Sequence, residues 1–102
     1  MIKVNIKNRN GKVYEIVVKG HANYDDYGKD IVCAAVSTMM TTTVNNIICL
    51  DDSIDYVEDA GLLKISIKEE TEVNQKLLNN VIMMLEELKT QYPKNIEIRN
   101  EV

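Results

Sequence analysis

The sequence predicts an α+β domain of order ββαββαβ, a mainly antiparallel sheet packed with two helices. Three observations carry that expectation. Ile2, Val4 and Ile6 alternate with Lys3, Asn5 and Lys7, and Leu63, Ile65 and Ile67 repeat the pattern later in the chain. Two segments of about twenty residues instead carry apolar residues at helical spacing. Glycine-bearing turns separate the strands in pairs. At 102 residues the chain has room for one hydrophobic core and not two, so a single domain is expected over residues 1–102.

The first strand closes at Arg9-Asn10-Gly11, where Asn and Gly both tolerate positive φ. Val13 to Val18 follows as a second strand. Its apolar residues fall on both faces, Val13 and Val17 against Tyr14, Ile16 and Val18, which suggests an interior strand. Gly20 ends it, and residues 21 to 29 read as a loop. Helix one is expected from about Ile31 to Leu50 with Asp30 as its N-cap. Its apolar residues, among them Val32, Val36, Met40, Val44, Ile47 and Ile48, surround the helix. Such a helix is usually buried on more than one side, which leaves room for a second chain to pack there.

Ser53 to Asp59 and Leu62 to Lys68 form a second hairpin around Ala60-Gly61. Helix two runs from about Thr71 to Tyr92 on a stripe of Val73, Leu77, Leu78, Val81, Ile82, Leu85 and Leu88. Pro93 stops it, and Ile96 and Ile98 mark a last short strand. The two ββα halves form a loose repeat in secondary structure but not in sequence. Clean alternation in the first and fourth strands favours both helices on one sheet face.

Composition narrows the chemistry. Twelve basic and sixteen acidic residues give a net charge of -4, and the scattered lysines speak against a nucleic-acid module. Ile31 to Leu50 is long enough to span a bilayer, but Ser37, Thr38, Thr41, Thr42, Thr43, Asn45 and Asn46 are too polar for a hydrocarbon core. Met1 leads straight into a strand rather than a charged-then-apolar leader, so no membrane association and a cytoplasmic location are expected. One histidine and two cysteines cannot supply a closed Cys/His zinc site from one chain, so neither metal nor cofactor is expected. Any Cys-His chemistry must use His21.

The chemistry-bearing stretch runs from Gly20 to Cys33. His21 follows an inner strand, and Cys33 is expected in the first helical turn, where free N–H groups and the helix dipole favour an anion. The intervening loop returns the chain from strand end to helix start, so His21 and Cys33 can come within hydrogen-bond reach. A thiolate nucleophile with His as acid and base is the economical reading. On spacing alone a bland reading stands beside it: a small buried hydrophobe and a lone polar histidine. Tyr24 and Tyr27, set between Gly20 and Gly28, suit a substrate-binding loop or tyrosines packed over a sheet edge. The glycines are hinges or positions needing φ > 0. Asp30 either orients His21 or caps the helix. Ser37, one turn beyond Cys33, bonds the site or simply the Cys33 carbonyl. Cys49 lies sixteen residues further along the helix, roughly 24 Å away, and is expected to be an inert core cysteine.

The run Gly20-His21-Ala22, then Tyr24, then Tyr27-Gly28-Lys29-Asp30-Ile31-Val32-Cys33-Ala34-Ala35-Val36-Ser37 resembles the ribosomal-processing cysteine protease family, Prp. The resemblance extends over the whole chain in length and element order. It implies a homodimeric endopeptidase that removes the N-terminal extension of large-subunit ribosomal protein twenty-seven, after a short segment containing paired aromatics. It further implies that Cys33 is the nucleophile and His21 the general base, that Asp30 and Ser37 support the site, and that the glycine-bounded loop moves aside for substrate. The alternative from a different class is a non-catalytic ribosome-associated protein-binding module, with the same segment serving as helix cap and dimer contact.

Overall fold

The computed structural model describes the backbone of residues 1–20 and 27–102, and the side chains of the same residues apart from 27–30. Its elements are β1 (Ile2–Arg9), β2 (Lys12–Lys19), α1 (Tyr27–Leu50), β3 (Ile54–Asp59), β4 (Leu62–Ile67), α2 (Glu72–Gln91) and β5 (Ile96–Glu101). They build one five-stranded sheet of order β3-β4-β2-β1-β5. All pairings are antiparallel except β1 with β5, which run parallel. The order ββαββαβ is as expected. The repeat is visible too, because the two hairpins meet symmetrically across the β2–β4 pairing.

One sheet face carries the core. Ile2, Val4 and Ile6 of β1, Ile16 and Val18 of β2, Ile54 of β3, Leu63 and Ile65 of β4 and Ile96 of β5 are buried there. They form one cluster with Val32, Val36, Met40, Val44 and Ile47 of α1 and Leu78, Val81, Leu85 and Leu88 of α2. Both helices therefore cover the same face, as the alternation favoured. Each fully buried aliphatic side chain contributes about 1.5–3 kcal/mol relative to exposure, so these stripes set how each helix sits. Ile31–Leu50 has the length and hydropathy of a membrane span, but its buried stripe is committed to this core.

The second strand differs from its reading as a two-faced apolar strand. Lys7 pairs with Glu15 but Asn8 pairs with Val13, so Tyr14 is an extra residue in β2. This bulge reverses the alternation, and Val13 joins Ile16 and Val18 on the core side. β2 is nevertheless interior, between β1 and β4. Arg9 lies over the Tyr14 ring, its guanidinium carbon 4.4 Å from the centroid. Glu15 bridges Lys7 at 3.2 Å and Lys64 at 3.4 Å across three strands.

Beyond the bulge β2 outruns β4, whose pairing with it begins at Glu15. The side-chain amide of Gln75 takes the missing strand's place. Its oxygen accepts from the Val13 N–H at 3.0 Å, and its nitrogen donates to the Val13 carbonyl at 2.7 Å. Asn74 beside it donates to the Ser53 hydroxyl at 2.8 Å and to the Glu69 carbonyl at 2.8 Å. Thr71 is the α2 N-cap, in a reciprocal box with Asn74. The start of α2 is thus tied to β2 and to the turn that follows α1.

Two expectations follow. Gln75→Leu leaves the Val13 donor and acceptor buried without partners and lowers stability by about 2 kcal/mol or more in urea unfolding; an unchanged midpoint would show that these bonds contribute nothing. For Glu15, partial burial opposes its charge, but the Lys7 and Lys64 ammonium groups outweigh it and hold the carboxyl below its ordinary value. A depressed folded-state value means that this stabilisation is present above the ordinary carboxylate range and lost as pH falls through the folded value. Glu15→Gln should therefore flatten the acid limb of a stability–pH curve, and identical limbs for both proteins would refute the assignment.

Candidate active site

Helix α1 begins at Tyr27, four residues earlier than the sequence suggested. Asp30 is therefore not the N-cap but lies within the first turn, where a carboxylate complements the helix dipole just as a cap does. A capping-type residue near a helix start does not by itself locate the boundary. Gly28 and Tyr27 likewise belong to the helix and not to a loop ending at residue 29. Cys33 falls in the second turn. Its N–H is one that an α-helix commits to the carbonyl four residues back, so the free N–H groups of the helix start are not at the sulfur.

His21 and Tyr24 lie outside the described residues, as do the side chains of Tyr27 and Asp30. What the fold establishes is the placement around them. β2 runs from Lys12, whose neighbour Val13 bonds Gln75, to Lys19. α1 runs back from Tyr27 to Leu50 and turns through Asp51 and Asp52, whose N–H groups both bond the Ile47 carbonyl at 2.9 Å. Ser53 then meets Asn74. The start of β2 and the end of α1 thus share one end of the molecule, while Gly20 and Cys33 share the other.

The rotation of α1 sets what Cys33 faces. Val32 and Val36 are buried in the core, while Cys33 is half-buried and packs against its rim. Ser37, one turn on, is exposed. With Thr38, Thr41 and Thr42 it lines a shallow hollow of about 270 Å³. These threonines were visible in the sequence only as a reason against a membrane span. Their spacing along one helix side was the signal that they continue the Cys33–Ser37 row. Thr43 points the other way, is buried, and bonds the Met39 carbonyl at 2.8 Å.

Cys49 corrects an expectation. It is exposed, not an inert core cysteine. The core positions run Val32, Val36, Met40, Val44 and Ile47, and two residues past Ile47 the helix has turned away from the sheet. A hollow of about 410 Å³ at the start of α2, lined by residues including Lys12, Thr71, Gln75 and Lys76, has neither cysteine nor histidine in its lining, and its Thr71 hydroxyl serves the helix cap. Among the described residues no group of His, Cys, Asp and Glu is arranged to hold a metal ion.

A half-buried cysteine on a helix at the rim of an open α+β layer, in a chain whose one histidine follows the end of β2 in sequence, is compatible with thiol chemistry. The family described as cysteine protease Prp matches residues 1–97, and the chain belongs to that family. The ribosomal processing cysteine protease Prp of Staphylococcus aureus is 34% identical over 103 residues, covering 96% of this chain and 97% of that protein. Its counterpart in Bacillus subtilis is 29% identical and covers 100% of this chain and 99% of its own. A crystal structure of the essential Prp from S. aureus with a substrate peptide superposes with a TM-score of 0.87 at 30% identity, covering 99% and 100% of the two chains. The chain is thus a cysteine protease whose five-stranded sheet and two helices are those of its family.

Exposure alone would make Cys49 the more reactive thiol, since Cys33 is half-buried. We expect iodoacetamide at neutral pH to modify Cys33 first, as read by peptide mass spectrometry. The reverse order would remove the chemical basis for Cys33 as nucleophile.

Proposed function

We propose that this protease removes the N-terminal extension of large-subunit ribosomal protein twenty-seven, with Cys33 as nucleophile and His21 as general base. The observation that carries the reading is the placement of a half-buried Cys33 at the end of the molecule where β2 delivers the chain into His21. A crystal structure of the S. aureus Prp holds a covalently linked product peptide, with a TM-score of 0.86 to this chain. A covalent adduct in that relative fits nucleophilic rather than water-first hydrolysis.

His21 takes the proton from the Cys33 thiol as Sγ attacks the scissile carbonyl carbon. The tetrahedral intermediate collapses with cleavage of the C–N bond, and the same proton passes from His21 to the leaving amine. Water, deprotonated by His21, then attacks the thioester, and Sγ departs to recover its proton. Because the helix-start N–H groups do not reach Cys33, thiolate formation rests on the imidazole. Asp30 and Ser37 support the site, Ser37 from the exposed row one turn beyond the sulfur. Tyr24 and Tyr27, in the segment bounded by Gly20 and Gly28, border the substrate.

The protein acts in the cytoplasm as a homodimer in this reading. The outward side of α1 supports the dimer: Ile31, Ala34, Ser37, Thr38, Thr41, Thr42, Asn45 and Asn46 are exposed, and from Ile31 to Leu50 there is no charged side chain. Charged residues make up 27% of the chain, so a charge-free exposed helix side is suited to being covered.

The test is mass spectrometry of the precursor's N-terminus after incubation with the protein. Wild type and Cys49→Ala should release the extension, and Cys33→Ala and His21→Ala should not. Cleavage by Cys33→Ala protein would end the proposal, and an intact precursor with an active wild-type enzyme on other peptides would overturn the substrate.

A further inference from the structure

The residue before His21 is held from two sides. Gly20 donates its N–H to the Gly61 carbonyl at 3.1 Å, which ties the end of β2 to the β3–β4 turn. Its φ of +78° lies in the left-handed region. A Cβ built on it would stand 2.8 Å from the Met1 carbonyl oxygen and 3.9 Å from the Met1 carbonyl carbon. That neighbour is backbone and cannot swing aside. The next residue, Ile2, is buried and donates its N–H to the Asn95 carbonyl at 2.9 Å. The start of β1 is therefore pinned in its turn by the segment leading into β5.

Gly61 provides an internal comparison. Its φ is +74°, nearly that of Gly20, but a Cβ there meets nothing within 4 Å. The two glycines share the conformational demand, and only Gly20 adds a close backbone approach. A hinge needs freedom to change φ. Gly20 instead sits where β2, the start of β1 and the β3–β4 turn converge, and its conformation is determined by all three.

We propose that Gly20 is a positioning residue for the protease reaction: a fixed left-handed anchor, wedged against Met1 and bonded to Gly61, that sets the direction in which the chain leaves the sheet into His21. The proposal rests on the reading of His21 as the base. A side chain at Gly20 pushes the strand end away from Met1 and carries the base with it, leaving the Cys33 row on α1 where it is. Substrate binding then persists while the chemical step slows.

The experiment measures kcat and KM on a peptide spanning the precursor's cleavage junction. Gly20→Ala should lower kcat roughly tenfold to a hundredfold with KM changed by less than about threefold, the signature of a misplaced base. Gly61→Ala, with the same φ demand and open space, should stay within about threefold of wild type in both constants. A second variant guards against a Gly20→Ala protein that does not fold. D-alanine at position 20, installed by joining a synthetic segment 1–32 to a segment beginning at Cys33, adopts positive φ readily and turns its methyl away from Met1. It should restore the kcat that L-alanine removes. Wild-type kcat in folded Gly20→Ala protein, or a folded D-alanine protein as slow as the L-alanine one, would overturn the anchor, the latter because it shows that the glycine must move. Undiminished cleavage by His21→Ala protein would instead overturn the reading of the base, and it is read on a separate variant.

Discussion

The packing of one stripe of α1 against the sheet is the constraint on which the rest depends. Val32, Val36, Met40, Val44 and Ile47 are all within 2% of complete burial, and together they fix the rotation of a helix that has few other means of choosing one. Its apolar residues are spread around its whole circumference, so an amphipathic stripe of the usual kind is lacking. Shape chooses instead: three valines, a methionine and an isoleucine pack into the core, while Ala34, Ser37, Thr38, Thr41 and Thr42 face outward. Cys33 sits one residue on from Val32, about 100° round the helix, and this places its sulfur at the rim between core and surface. A quarter turn inward would bury the thiol beyond reach of a peptide. A quarter turn outward would move it away from the strand end that supplies the histidine.

The opposite end of the molecule holds this arrangement in register. Asn74 and Gln75 are buried polar side chains on α2, and neither is wasted. Gln75 completes the hydrogen bonding of β2 at Val13, where the bulge has carried the strand beyond its neighbour β4. Asn74 reaches Ser53, whose hydroxyl in turn bonds Asp51 at 2.6 Å, just past the end of α1. The Ser53 and Thr71 hydroxyls hold the Asp51 carboxyl below its ordinary value. One polar network therefore joins both hairpins and both helices at their shared end, about 25 Å along α1 from Cys33. Fully satisfied networks of this kind specify a single arrangement. The stabilising and the reacting ends of the fold are separate.

Much of this was legible in the sequence. The alternation in Ile2–Ile6 and Leu63–Ile67 and the stripe of α2 identified the sheet, its inner face and the second helix. Period-two and period-3.6 patterns are direct imprints of burial on one side. The bulge at Tyr14 was not legible. An extra residue shifts the alternation without altering its components, so Val13 seemed to lie on the outer face. The start of α1 was missed for a related reason. Asp30 has the chemistry of a cap, but an acidic side chain is equally at home in a first turn. Cys49 was misplaced because a helix with apolar residues on every side does not declare which side is inside. Tertiary contact with the sheet and with α2 decided that. The roles of His21 and Cys33 came through motif resemblance. Spacing showed only that they had the opportunity to meet.

The later start of the thiol within α1 changes the physical account of the site. A cysteine at a helix N-terminus borrows stabilisation from free N–H groups, and a partner base is then an added benefit. Cys33 stands in the second turn, where those groups are already bonded along the helix. In the proposed mechanism its activation is concentrated in a single imidazole, and the position of that imidazole becomes the quantity the fold must control. The strand that delivers it is the inner strand β2, paired on both sides and closed at its end by Gly20 against Met1 and Gly61. A chain with one histidine has no second base to compensate for a poorly placed one. The tightest backbone approach at any described glycine falls at the residue immediately before it.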